Sequence, residues 1–275
     1  MLPTTKIGDL EVTRLIVGSN PFTGKSHMDA ATDADMKGYF TEEQAFAMLR
    51  SCEEAGINAV QSRGSMPVMG LISRYRAAGG KLLWLAQTGK SLDTFEEELE
   101  EMMKYDPAAV CIHGELADEL YLNGRLDLLE PLLNQIRCKN VPAGICAHFP
   151  EVLVYAEDKK LKPDYYMASL YNLTQPDRSH DVNPTGERFE DSDIPKMYEV
   201  IRQLSAPTFA LKILGAGRRC KDQEQVKGAF REAFASMKPG DGVLVGMFDK
   251  YIDQPRLNAE YTIDAIQRLR LSNPE

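Results

Sequence analysis

The sequence predicts an α/β protein, a (β/α)8 TIM barrel with a short N-terminal β-hairpin. Three observations carry that prediction. Short β-rich runs alternate with longer helical patterns from one end of the chain to the other, about eight such units can be counted, and 275 residues suit one barrel domain spanning 1–275 better than two smaller domains.

Taken in order, Lys6 to Val12 reads as a hairpin turning at Gly8-Asp9 and placed to plug the bottom of the barrel. Leu15-Ile-Val-Gly, residues 15–18, is the first strand. Residues 20–40, rich in Pro, Asp, Asn and Gly, read as a long irregular loop. Thr41 ahead of Glu42-Glu43 is a helix start, opening a helix over 42–55 that leads to a strand over 59–62. Helices over 67–78, 92–104 and 118–138 alternate with strands over 82–87 and 109–113. A strand over 142–146 precedes Pro150, whose fixed φ suits the first turn of the helix over 151–160. A strand over 165–170 runs into a second irregular segment, 172–193, before a helix over 194–204. Strands over 209–214 and 243–246, each followed by a helix (223–236 and 258–271), complete the count. Irregular segments as long as 20–40 and 172–193 are unusual unless they carry function.

Composition bounds the function. With 43% hydrophobic and 27% charged residues the chain is ordinary for a globular protein. A net charge of −9 with no Lys/Arg block argues against nucleic acid and against an anionic membrane surface as partners. The expected partner is a small-molecule substrate, and the sequence specifies no oligomeric state. Five cysteines without a CxxC pair fit reduced thiols, with Cys52, Cys111 and Cys138 expected in the core. The N-terminus has no apolar signal-type run and no segment is apolar for long enough to span a bilayer, so a cytoplasmic location is expected.

Four stretches carry a family resemblance. IGDLEVTRLIVGSNPF (7–22), EEQAFAMLRSCEEAGINAVQSR (42–63), AGICAHFPEVLVYAE (143–157) and GVLVGMFDKYIDQPRLNAEYT (242–262) are similar to segments of the aldo-keto reductase superfamily, and the resemblance runs over nearly the whole chain. It implies that family's barrel. The family's reductases use an Asp, Tyr, Lys and His tetrad. The matching Asp position is Gln61, the Lys position is Gln87, and Arg63-Gly64-Ser65-Met66 supplies no Tyr, so only the His remains, as His113. The nicotinamide-holding Ser-Asn pair reads Cys146-Ala147. The resemblance therefore implies the fold while making NAD(P) binding and carbonyl reduction doubtful.

The residues themselves point to one face. His27, His113, His148 and His180 all follow predicted strands, on the loop side where barrel enzymes place their chemistry. Strand parity sets Ala59 with Gln61, Leu85 with Gln87, Cys111 with His113 and Ala210 with Lys212, predicting a polar ring of Gln61, Gln87, His113 and Lys212 at the mouth. Each Gln is either a structural hydrogen-bonder or part of a shell that orients substrate. His113, Glu115 and His148 are either ligands to a divalent metal such as zinc or manganese, or the histidines are a general acid/base pair. Lys212, in an apolar run, is either a proton carrier or electrophile with a depressed pKa, or a structural lysine paired to a carboxylate. Arg218, in the Gly-rich turn 214–219, marks either an anion site or a turn that needs its glycines. Asn20, Tyr171 and Asn172 add neutral polar groups suited to a hydroxyl-rich ligand, and His27 and His180 sit on the long loops, either over the ligand or in solvent.

Function then follows as an expectation: a barrel enzyme performing non-redox proton transfer or elimination, as an isomerase, epimerase or lyase, on a small sugar-like or carbonyl substrate. The alternatives are a divergent NAD(P)-dependent reductase and a non-catalytic small-molecule binder or sensor.

Overall fold

The computed structural model describes residues 1–175 and 189–272. Strands β1 (Thr4–Ile7) and β2 (Leu10–Thr13) pair antiparallel around Gly8-Asp9, with Ile7 opposite Leu10. Eight further strands, β3 (Leu15–Gly18), β4 (Ala59–Arg63), β5 (Leu83–Gln87), β6 (Ala109–Ile112), β7 (Ala143–Ala147), β8 (Tyr165–Ser169), β9 (Thr208–Leu211) and β10 (Gly242–Gly246), close into a parallel barrel in the order β10-β3-β4-β5-β6-β7-β8-β9.

Alternation along each strand divides the core in two. Ile16, Ala59, Leu85, Ala109, Cys111, Cys146, Tyr165, Met167 and Phe209 fill the barrel, joined by Ile7 and Val12 of the hairpin, which closes its lower end. The intervening residues, Val17, Val60, Trp84, Ala86, Val110 and Ile145 among them, face the surrounding helices. Trp84 lies in that outer layer, its Nε1 donating to Ser62 Oγ at 2.8 Å, so it presents no stacking surface to a ligand.

The helices are α1 (Ala30–Tyr39), α2 (Glu42–Glu54), α3 (Met66–Ala77), α4 (Phe95–Met103), α5 (Gly114–Leu122), α6 (Leu129–Arg137), α7 (Pro150–Asp158), α8 (Asp193–Ile201), α9 (Gln223–Ser236) and α10 (Gln254–Ser272). Thr41 caps α2 by accepting from Gln44 N–H, and Pro150 opens α7, as the sequence predicts. In α6, Leu129, Leu132, Leu133 and Ile136 form one buried stripe at helical spacing. Burying such side chains is worth about 1.5–3 kcal/mol each.

Three expectations about elements are corrected. The segment 20–40 is not irregular: it holds a 3-10 turn at Asn20–Thr23 and α1, capped by Asp29 accepting from Thr32 N–H. None of the residues of α1 is buried, so it carries no apolar periodicity for the sequence to show. The helix expected over 118–138 is two helices, because α5 stops before Gly124, whose φ of +66° breaks helical geometry. Cys138 is exposed at the end of α6, whereas Cys52 and Cys111 are buried as expected. Most of the second long segment, with His180, lies outside the described residues. Among the described residues no helix is long and apolar enough to cross a membrane.

Candidate active site

The upper ends of the strands surround a cavity of about 800 Å³. Its floor is made by strand parity. Gln61 and Gln87 both point inward, and Gln61 Nε2 donates to Gln87 Oε1 at 3.2 Å. The two positions that resemble an Asp and a Lys of the reductases thus hold a neutral amide pair.

Above this floor stand two histidines in different states. His113 caps α5 at the end of β6: its Nδ1 accepts from Glu115 N–H at 3.0 Å, which leaves the ring proton on Nε2. Burial is the main reason its pKa falls well below the ordinary imidazole value, to about 3; Glu115 opposes the shift, while Lys90, His148 and Arg63 reinforce it. His113 is therefore a neutral ring whose Nε2–H serves as a donor.

His148, at the end of β7, is held the other way round. Its Nδ1 donates to Asp118 Oδ2 at 2.7 Å, which leaves Nε2 as an acceptor. Asp118 is fully buried on α5 and also accepts from His148 N–H (3.1 Å), Phe149 N–H (3.2 Å) and Thr174 Oγ1 (2.9 Å). Four donors from two loop segments hold the carboxylate, and with it the imidazole's plane. Gly114 makes this possible, since a Cβ there would lie 3.0 Å from His148 Cε1 and 3.2 Å from Cys146 Sγ. Cys146 also lines the cavity, but burial, with Asp118 adding to it, pushes its thiol up to about 12, so it is no thiolate nucleophile at neutral pH.

The other candidates divide into those the structure brings to the cavity and those it does not. Asn20 and His27 line it from the loop after β3 and meet each other, Asn20 Nδ2 to His27 Nε2, at 3.0 Å. Lys212 lines it too, by a different route from the one parity predicts. Phe209 belongs to the barrel interior while Ala210 packs against the outer layer; the strand ends at Leu211, and a φ of +63° at Lys212 turns the chain so that this half-buried lysine faces the cavity.

Tyr171, Asn172 and Arg218 are absent from the lining. Tyr171 is buried, hydrogen-bonded through its OH to Asp191 at 3.3 Å and packed on Phe189. Asn172 is buried and donates its N–H to Asp193. Arg218 stacks on Phe189 and donates to the carbonyls of His27 and Gly215, bracing two loops.

The proposed metal ligands are not arranged as a ligand set. Glu115 pairs with Lys90 at 2.6 Å; burial alone would raise its carboxyl, and the Lys90 ammonium holds it below its ordinary range. Among the described residues no group of three or more His, Cys, Asp or Glu is placed to hold an ion.

Sequence reasoning misses Asp118, Arg63, Lys90, Thr174 and Asn258 at this site. Asn258 is buried in the first turns of α10 and lines the cavity with Arg63, Lys90 and Thr174. For Arg63 a signal exists, since Ala59, Gln61 and Arg63 share the inner face of β4. Asp118 gives none, because a polar residue near a helix start reads as an ordinary cap.

No protein-family model matches the chain, and no curated protein matches it in sequence. Several solved barrels match in shape. An aldo-keto reductase from Bacillus halodurans superposes with a TM-score of 0.59 at 13% identity, covering 98% of this chain and 96% of that one. A truncated 3-deoxy-D-arabino-heptulosonate 7-phosphate synthase from Thermotoga maritima gives 0.57 at 12% identity, covering 98% and 93%. An N-acetylmannosamine-6-phosphate 2-epimerase from Clostridium perfringens gives 0.52 at 16% identity, covering 91% and 92%. At these identities the likeness establishes the TIM-barrel fold, with the aldo-keto reductase as one of several barrels that share it.

Proposed function

We propose that this protein is an enzyme that moves a proton on the carbon beside a carbonyl of a small sugar-like or oxo substrate, as an isomerase, epimerase or lyase. One observation carries the reading: two histidines in opposite hydrogen-bonding states stand at one cavity. His148, oriented by Asp118, presents Nε2 as the general base. His113 stays neutral and presents Nε2–H to the oxygen on which negative charge develops, a role that a protonated ring would confuse with proton donation. Lys212 and Lys90 add positive charge to the same lining.

The neutral Gln61–Gln87 pair supports a non-redox reaction, because it offers nothing to depress the pKa of a proton donor as a charged Lys–Asp pair does. The barrels similar in shape include a synthase and an epimerase, so the architecture accommodates such chemistry.

The test is solvent exchange. Incubated in deuterium oxide with a panel of aldoses, ketoses and hydroxy or oxo acids, the protein is expected to wash deuterium into one C–H next to a carbonyl, followed by proton NMR. His148→Gln should slow that exchange by roughly 10²–10⁴-fold. Calorimetric titration with NADPH and NADH is expected to give no saturable heat. Exchange that is indifferent to His148, or hydride transfer from either nucleotide to any panel compound, overturns the reading.

A further inference from the structure

Arg63 ends β4 on the inner face, two residues beyond Gln61, and lines the cavity that holds the histidines. Its Nε has no accessible surface and no hydrogen-bond partner, and Arg63 makes no ion pair with any described residue. A buried N–H without an acceptor is costly, and the guanidinium that carries it presents donors in a planar fork suited to carboxylate or phosphate.

Among the described residues the surroundings do not supply the missing acceptor. Lys25, Lys90 and Lys212 line the cavity with Arg63, and among the described residues the carboxylate in that lining, Glu115, already pairs with Lys90. Asp118 lies behind His148 and is occupied by its four donors. Basic side chains gathered in one lining attract an anion entering it.

We propose that Arg63 anchors an oxyanion, carboxylate or phosphate, carried by the substrate of this site. The inference rests on the proton-transfer reading for the chemistry that follows binding. Arg63 is a specificity-determining residue: it selects an anionic oxo acid or sugar phosphate over a neutral sugar and fixes which end of the molecule meets the histidines. Arg63 also contributes to keeping His113 unprotonated, which places its charge within reach of the ring that the carbonyl would meet.

Calorimetric titration of the full chain with malonate and with inorganic phosphate tests this, with erythritol as a neutral control of similar size. At least one anion is expected to bind saturably, more weakly as salt rises, with erythritol giving no saturable heat. Arg63→Gln should weaken that binding by about tenfold or more while leaving thermal unfolding unchanged or raised, since no protein partner is lost. Arg63→Lys should retain part of the affinity. Arg74→Gln, which removes a surface cation paired to Glu42, should retain all of it.

Anion affinity unchanged in Arg63→Gln, or erythritol binding while neither anion does, overturns the proposal. Its fate separates from that of the proton-transfer reading. Arg63-dependent anion binding without any deuterium exchange sinks the chemistry and leaves the anchor. Exchange confined to neutral sugars sinks the anchor and leaves the chemistry.

Discussion

Asp118→Asn is expected to lower proton exchange by roughly 10³–10⁴-fold while the barrel stays folded. The carboxylate holds the Nδ1–H of His148 and so keeps Nε2 free to accept a proton. An amide in its place keeps one oxygen for the N–H groups of His148 and Phe149. Its –NH2 then faces Nδ1, which must become the acceptor, and the ring proton moves to Nε2, where a base is needed. Asp118→Ala is a different experiment. It strands a buried imidazole N–H and two backbone N–H groups, and is expected to cost about 3 kcal/mol or more of stability. Thermal unfolding beside exchange rates separates the two. An Asn variant that loses only a few-fold of exchange would remove Asp118 from the catalytic machinery.

The second large effect is on stability against pH. His113 has a folded pKa of about 3 against an ordinary 6.5, chiefly because it is buried. Above pH 6.5 both folded and unfolded chains hold this ring neutral, and the contribution to stability is fully present. As pH falls from 6.5 toward 3 the unfolded chain takes up the proton and the folded one does not. Stability is therefore lost at about 1.4 kcal/mol per pH unit, about 4–5 kcal/mol in all. His113→Gln should flatten that stretch of the curve. Urea unfolding of both proteins at several pH values isolates the ring, since carboxylates that titrate in the same range are shared and cancel in the difference. Parallel curves would show that His113 protonates in the folded state near its ordinary pKa, and would remove the neutral donor from the mechanism.

What the sequence reveals of this protein is what burial imposes on it. The eight strands are legible because each must be apolar on both faces, inside against the barrel and outside against a helix, and that demand writes short apolar runs between turn residues. The same alternation makes Gln61, Gln87 and His113 legible as a ring at one height. Helix α1 is hidden because it buries nothing, and the break at Gly124 is hidden because apolar spacing resumes four residues later at Leu128 and Leu129. Lys212 reaches the cavity although Ala210 faces outward, since parity ceases to apply where the backbone leaves extended geometry. Tyr171, Asn172 and Arg218 have residue types that suit a ligand, and the contacts given for them lie within the loops, outside the cavity lining. Asp118 is legible only in three dimensions, because its role depends on His148, thirty residues away.

The Gln61–Gln87 contact also sets what a charged Asp–Lys pair would cost at this floor. Gln61→Asp alone would place a buried carboxylate at the floor without the ammonium of an Asp–Lys pair, and Gln87→Lys alone would add a cation to a lining that already holds Arg63, Lys90 and Lys212. A buried charge left without its partner costs about 3–5 kcal/mol, a large part of a domain's total stability. The two changes together would restore neutrality. Passage between the amide floor and the charged one is thus epistatic: each single step descends into a stability valley that only the second step leaves. An engineer placing an Asp–Lys pair at this floor must therefore change both positions at once, or begin from a variant with stability already in reserve.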